Sequence, residues 1–157
     1  MKVAIVFASL HGNTEKVALA IAESFAKFSP QVLAVSQIDN SELLTFDLII
    51  LGSPTHGGKP MESMISLVDS LCKDDLEKKK IAVFDTRMVA KDQNLGLKIV
   101  MSLVGYAASK MAKKLVRGGA KHIFQEGFFV KGKTGPLQDG EPQRVKTWSQ
   151  LILTQIQ

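Results

Sequence analysis

Two short stretches carry the residue types needed to hold a ligand. Ser9-Leu10-His11-Gly12-Asn13-Thr14 and Gly52-Ser53-Pro54-Thr55-His56-Gly57-Gly58 each follow a run of strand-forming apolar residues, and the first opens a strongly patterned helix. In a chain that alternates strand and helix, such loops fall at the carboxyl ends of neighbouring parallel strands, where ligands bind. The first stretch suits a phosphate: a glycine for close backbone approach, hydroxyls, and helix-end N–H groups aimed outward. The second suits a flat ring, because a turn fixed by Pro54 and softened by Gly57 and Gly58 can lay its backbone along a ring edge. Together they point to a phosphorylated planar cofactor, with FMN as the candidate.

The elements that must position these loops follow from periodicity. Val3-Ala4-Ile5-Val6-Phe7 is a continuous apolar run, as expected of a strand buried on both faces. Met1 to Ala8 is too short in apolar residues for a signal peptide and is expected to be that strand. Val17, Ile21, Phe25 and Phe28 share a helical face that ends at Ser29-Pro30. Gln31 to Val35 and Leu48-Ile49-Ile50-Leu51 read as the second and third strands. Met61, Met64, Ile65, Val68, Leu71 and Cys72 form a helical stripe, which packs the core or touches the cofactor.

Ile81-Ala82-Val83-Phe84 reads as a fourth strand ending in a loop, Asp85-Thr86-Arg87-Met88. A basic helix over Ala107 to Arg117 stops at Gly118-Gly119. His122-Ile123-Phe124 and Phe128-Phe129-Val130 read as a last strand interrupted at Glu126-Gly127. After the turn from Gly132 to Gly140, a helix carries Val145, Trp148, Ile152 and Ile156, with Pro142 in its first turn and Trp148 anchoring it to the sheet. Val89 to Val104 is too apolar for a solvated loop. It reads as a helical turn on the core, a flap over the ligand, or an oligomer contact. The expected architecture is one α/β domain over residues 1–157, five strands with helices on both faces.

With 157 residues, 45% hydrophobic and 22% charged, the chain has the composition of a soluble globular protein. No apolar run approaches the ~18 residues of a membrane span, and a cytoplasmic location is expected. Cys72 stands alone and reads as a buried core thiol; neither it nor the three His show metal-ligand spacing. Twenty Lys and Arg against fifteen Asp and Glu give a net charge of +5. Much of it sits in Lys78-Lys79-Lys80 and in Lys110, Lys113, Lys114, Arg117 and Lys121, either as a solvated face or as a docking patch for an acidic partner. Nucleic acid is not an expected partner, because one Trp and one Tyr offer little for base stacking.

Over nearly its whole length the chain resembles a short-chain flavodoxin. The family's phosphate loop, Ser/Thr-x-Thr-Gly-x-Thr, is matched by Ser9, Gly12 and Thr14, with His11 in the third position. The ring-side loop of the family often reads Ser-Pro-Thr-Tyr-Gly, and here runs Ser53-Pro54-Thr55-His56-Gly57. Gly135-Pro136-Leu137, Gly140-Glu141 and Trp148 also recur in flavodoxin-like domains. There is no room for the insertion that splits the last strand of long-chain members. The chain departs from the pattern at His56, in the absence of a Tyr from Asp85-Thr86-Arg87-Met88, and in its basic charge.

The resemblance implies a flavodoxin-like three-layer sandwich, with a five-stranded parallel sheet of order 2-1-3-4-5. It implies FMN held by Ser9, Leu10, His11, Gly12, Asn13 and Thr14 at the phosphate, and by Pro54, Thr55, His56, Gly57, Gly58, Asp85, Thr86, Arg87 and Met88 around the ring. His11 adds a charge-assisted contact or stays a neutral surface side chain. Gly57 is where the family's carbonyl turns to accept from N5 of the flavin, favouring its one-electron-reduced form. Arg87 lies at the N1 edge, pairs with Asp85, or points to solvent. The implied function is electron transfer between redox protein partners, without a catalytic residue or metal. The alternatives are a flavin reductase acting on NAD(P)H or a quinone, and an interaction module that has lost its flavin.

Overall fold

The computed structural model describes residues 1–74, 76–88 and 106–156. Five parallel strands form one sheet, in the order β2-β1-β3-β4-β5: β1 is Val3–Phe7, β2 Gln31–Ala34, β3 Leu48–Pro54, β4 Lys80–Met88 and β5 His122–Val130. The helices are α1 (Asn13–Ser24), α2 (Asn40–Leu43), α3 (Glu62–Leu71), α4 (Ala107–Arg117) and α5 (Glu141–Ile156). A short 3₁₀ turn, Ala26–Phe28, takes the expected end of α1, so Phe28 sits on a different turn from Val17 and Ile21.

Side chains alternate across a strand with a period of two, which here divides the core into two layers. Ala4, Val6, Ile49, Leu51, Ile81 and Val83 face α3 and α4. Val3, Ile5, Leu48, Ile50, Ala82 and Phe84 face α1 and α5. Trp148 anchors α5 as expected, edge-on to Phe128 at 5.8 Å and to Phe84 at 6.3 Å. Each such aromatic pair adds about 0.5–1.5 kcal/mol beyond the area it buries.

Three expectations are corrected. Asp85-Thr86-Arg87-Met88 is not a loop: β4 continues through it, paired with β3 to Thr86 and with β5 to Met88. The strand β5 is uninterrupted at Glu126-Gly127, which pair in register with Phe84 and Asp85. Gly127 is there because the Arg87 guanidinium packs onto its backbone; a Cβ would meet it at 2.2 Å. Cys72 is only partly buried: it follows the last residue of α3, at the rim of the core and against Gly118, with its Sγ 3.4 Å from the Lys114 carbonyl. Half of the basic cluster has local partners: the Lys79 ammonium donates to the carbonyls of Leu44 and Phe46 and that of Lys80 to Ile156, while the exposed Lys114 pairs with Asp69 and Lys121 with Glu77. The segment Val89 to Val104 lies outside the described residues. No helix among the described residues is long and apolar enough to cross a membrane.

Candidate functional site

At the carboxyl ends of β1, β3, β4 and β5 the chain encloses a cleft of about 310 Å³. It lies where the strand order reverses between β1 and β3, so that the connections from these two strands leave to opposite faces and part the loops.

The first wall is the entry to α1. Gly12 is the N-cap, at φ +80°, and no side chain caps the helix. The first-turn amides are thus left without side-chain partners beside the cleft, which Leu10, His11, Asn13 and Thr14 line. Ser9 turns inward and its Oγ accepts from the Gly12 amide at 3.0 Å, shaping the loop from within. The buried Thr14 and Thr86 hydroxyls meet at 2.9 Å. One hydroxyl hydrogen bonds the pair together and the other remains to donate to a ligand.

The second wall is a hairpin. His56 and Lys59 exchange both backbone hydrogen bonds, at 2.9 and 3.0 Å, around Gly57 (φ +55°) and Gly58 (φ +74°). Two consecutive positive φ values are what a two-residue type I′ turn needs, and glycine adopts them without steric cost. Both ends of this loop are tied. The Met61 amide donates to Ser53 Oγ at 2.9 Å, and the Thr55 amide to the Thr86 carbonyl at 2.9 Å. Pro54, Thr55, His56, Gly57 and Gly58 all line the cleft.

The third wall is the end of β4. Thr86 and Met88 share the face of Phe84 and line the cleft. Asp85, one residue out of phase, points into the other layer and does not line it. There it is fully buried, and its carboxylate accepts from Arg87 Nε and Nη2 (2.5 and 2.6 Å) and from the Ala108 amide (2.8 Å). Burial pushes the Asp85 carboxyl above its ordinary pKa, against the opposing pull of Arg87, the Ala108 amide and the Thr55 hydroxyl. Of the three orientations open to Arg87, the structure has the pair with Asp85. The guanidinium also stacks on Tyr106, 3.8 Å from the ring centroid, and its edge reaches the cleft. Its charge is matched by a carboxylate before it meets any ligand.

Two cleft residues were not foreseen from sequence, Val130 and Lys133. Val130 ends β5, and Lys133 belongs to the loop that follows. The link between that loop and the first helix is tertiary: Asn13 Nδ2 donates to the Thr134 carbonyl at 2.8 Å. No pattern of spacing between residues 13 and 134 signals it.

A model of the flavodoxin domain family matches residues 4–132, most of the chain. The chain belongs to the flavodoxin domain family. Among solved structures it is similar to oxidised flavodoxin 2 from Bacillus cereus, at 25% identity and a TM-score of 0.73, over 99% of each chain. It is also similar to a flavodoxin from the domain Archaea, at 21% identity and a TM-score of 0.72, again over 99% of both. The rubredoxin:oxygen oxidoreductase of Desulfovibrio gigas aligns with 99% of this chain but only 36% of its own, at 19% identity and a TM-score of 0.75. A search of curated proteins returns no match.

Membership of this family makes FMN the cofactor and electron transfer the general function. The residues present fit the group. Uncapped amides and a spare hydroxyl hydrogen suit a phosphate, a glycine turn presents bare backbone, and Met88 and Val130 offer apolar surface. Among the described residues, no three His, Cys, Asp or Glu side chains gather as a metal site would require.

Proposed function

We propose that this flavodoxin-family chain is an electron carrier of the cytoplasm, passing electrons between redox protein partners, of which at least one presents an acidic face. The observation that carries the reading is the cleft at the strand switch point, with uncapped helix amides on one side and a tight glycine hairpin on the other. When bound, FMN supplies the redox chemistry; the protein supplies position and electrostatics. The amides of His11, Asn13 and Thr14 and the Thr14–Thr86 hydroxyl pair hold the phosphate. Ser9 and Gly12 shape that loop, and Leu10 covers it. Pro54 to Gly58 on one side, and Thr86 and Met88 on the other, hold the ring, while Asp85 and Arg87 brace the wall behind it. The acidic partner is inferred from the net charge of +5.

The test is a visible spectrum of protein purified with added FMN, followed by an assay with NAD(P)H. A flavin spectrum with no steady NAD(P)H consumption supports the carrier. Steady consumption by the holoprotein makes it a reductase instead, and a colourless protein that takes up no FMN refutes the reading.

A further inference from the structure

Lys133 stands apart from the other cations at the carboxyl end of the sheet. It lines the same cleft as His11, Asn13 and Thr14. Arg87, the other Lys or Arg lining the cleft, is spent on Asp85, and Lys131, two residues before Lys133, pairs with Asp139 at 3.1 Å. Lys133 has no ion pair among the described residues.

Its loop is built to sit where it does. The Lys131 amide donates to the Pro136 carbonyl at 2.8 Å, and the Gly135 amide to the Lys131 carbonyl at 3.2 Å, closing the loop on itself. A bridge between Val130 and Leu137 seals its base. The tip is clamped to α1: the buried Asn13 amide donates to the Thr134 carbonyl at 2.8 Å. Gly135, at φ +92°, leaves Asn13 room, since a Cβ there would meet its amide group at 2.4 Å. Asn13 is the first residue of α1, so the clamp fastens the neighbour of Lys133 to the helix end that meets the phosphate. A phosphate monoester carries about −1.5 to −2 charges at neutral pH, more than the roughly half charge of a helix end offsets.

We propose that Lys133, held at the cleft by the clamp between Asn13 and residues 134–135, is the cation that binds the FMN phosphate and sets the preference for FMN over unphosphorylated riboflavin. The proposal rests on the FMN reading of the cleft and adds to it a ligand from outside the first loop.

The experiment is titration of the apoprotein with FMN and with riboflavin, at low and at high salt, followed by flavin fluorescence. Lys133→Gln is expected to raise the Kd for FMN roughly tenfold at low salt, to leave that for riboflavin unchanged, and to flatten the salt dependence of FMN binding. Lys133→Arg should restore most of the affinity. Lys113→Gln, the same charge change on the exposed face of α4, should have little effect. Equal FMN affinity in Lys133→Gln and wild type overturns the proposal, as does an equal loss in Lys113→Gln. A wild type that binds riboflavin as well as FMN, or binds neither, overturns the phosphate reading of the cleft and this proposal with it.

Discussion

Thr14 and Asp85 show how much a single buried polar atom can decide. The Thr14 hydroxyl is one half of a buried pair with Thr86, both beside the expected phosphate. Thr14→Ala strands its partner and removes a donor, and should weaken FMN binding by about 1–3 kcal/mol, with riboflavin affected less. Titration of both ligands checks this, with Thr14→Ser as the variant that should keep the affinity. Asp85→Ala would leave Arg87 without its carboxylate and the Ala108 amide without its acceptor, and should cost on the order of 3 kcal/mol of stability by denaturant unfolding. Because burial raises the Asp85 pKa, the folded chain holds that proton to higher pH than the unfolded chain does. The contribution of Asp85 to stability therefore falls as pH rises from about 4, the ordinary carboxyl value, through the raised one. Unfolding free energies across that range should decline relative to those of Asp85→Asn; parallel profiles would place the carboxyl at its ordinary value.

At the scale of elements, the hairpin over residues 56–59 is the part most sensitive to backbone choice. Gly57 at φ +55° tolerates Asn, which visits that region readily, but not the β-branched Val, whose strain there is about 1–3 kcal/mol. Gly57→Val should lower both the melting temperature and FMN affinity, while Gly57→Asn should leave both near wild type. Similar losses in the two variants would show that the side chain, and not the turn, is what the site rejects. Beyond the hairpin, α4 is joined to this wall through its first amides: that of Ala107 donates to Thr55 Oγ1 and that of Ala108 to Asp85. The start of that helix thereby holds β3 and β4 at the spacing the cleft requires.

The whole molecule carries +5, and its distribution matters as much as its sum. Lys79, Lys80, Lys114 and Lys121 are tied to carbonyls or carboxylates, yet a net charge is felt at long range whatever its local pairing. Oxidation of the reduced holoprotein by the anionic hexacyanoferrate(III) should slow as salt is added. Oxidation by the cationic hexaammineruthenium(III) should quicken, the two trends fading within the screening range of about 0.1–0.2 M. Stopped-flow rates that respond to salt alike for both oxidants would mean that the cleft does not feel the net charge.

Much of this was legible in the residues themselves. Apolar runs at Val3–Phe7 and Leu48–Leu51, helical stripes after each, and Gly118-Gly119 closing α4 identify elements through local periodicity and backbone preference, which need no knowledge of neighbours. The two ligand loops follow from that alternation, because loops after parallel strands meet at one end of a sheet. What only the tertiary structure decided is how side chains are shared across the sheet. Asp85 and Arg87 looked like loop residues until pairing with β3 and β5 carried β4 through them; then the two-residue period sent Asp85 into the layer away from the cleft. Gly127 looked like a break, and is the flat place on which Arg87 lies. Lys133 lines the cleft through a clamp between residues 13 and 134, an approach that depends on the order of strands and on no pattern within either segment.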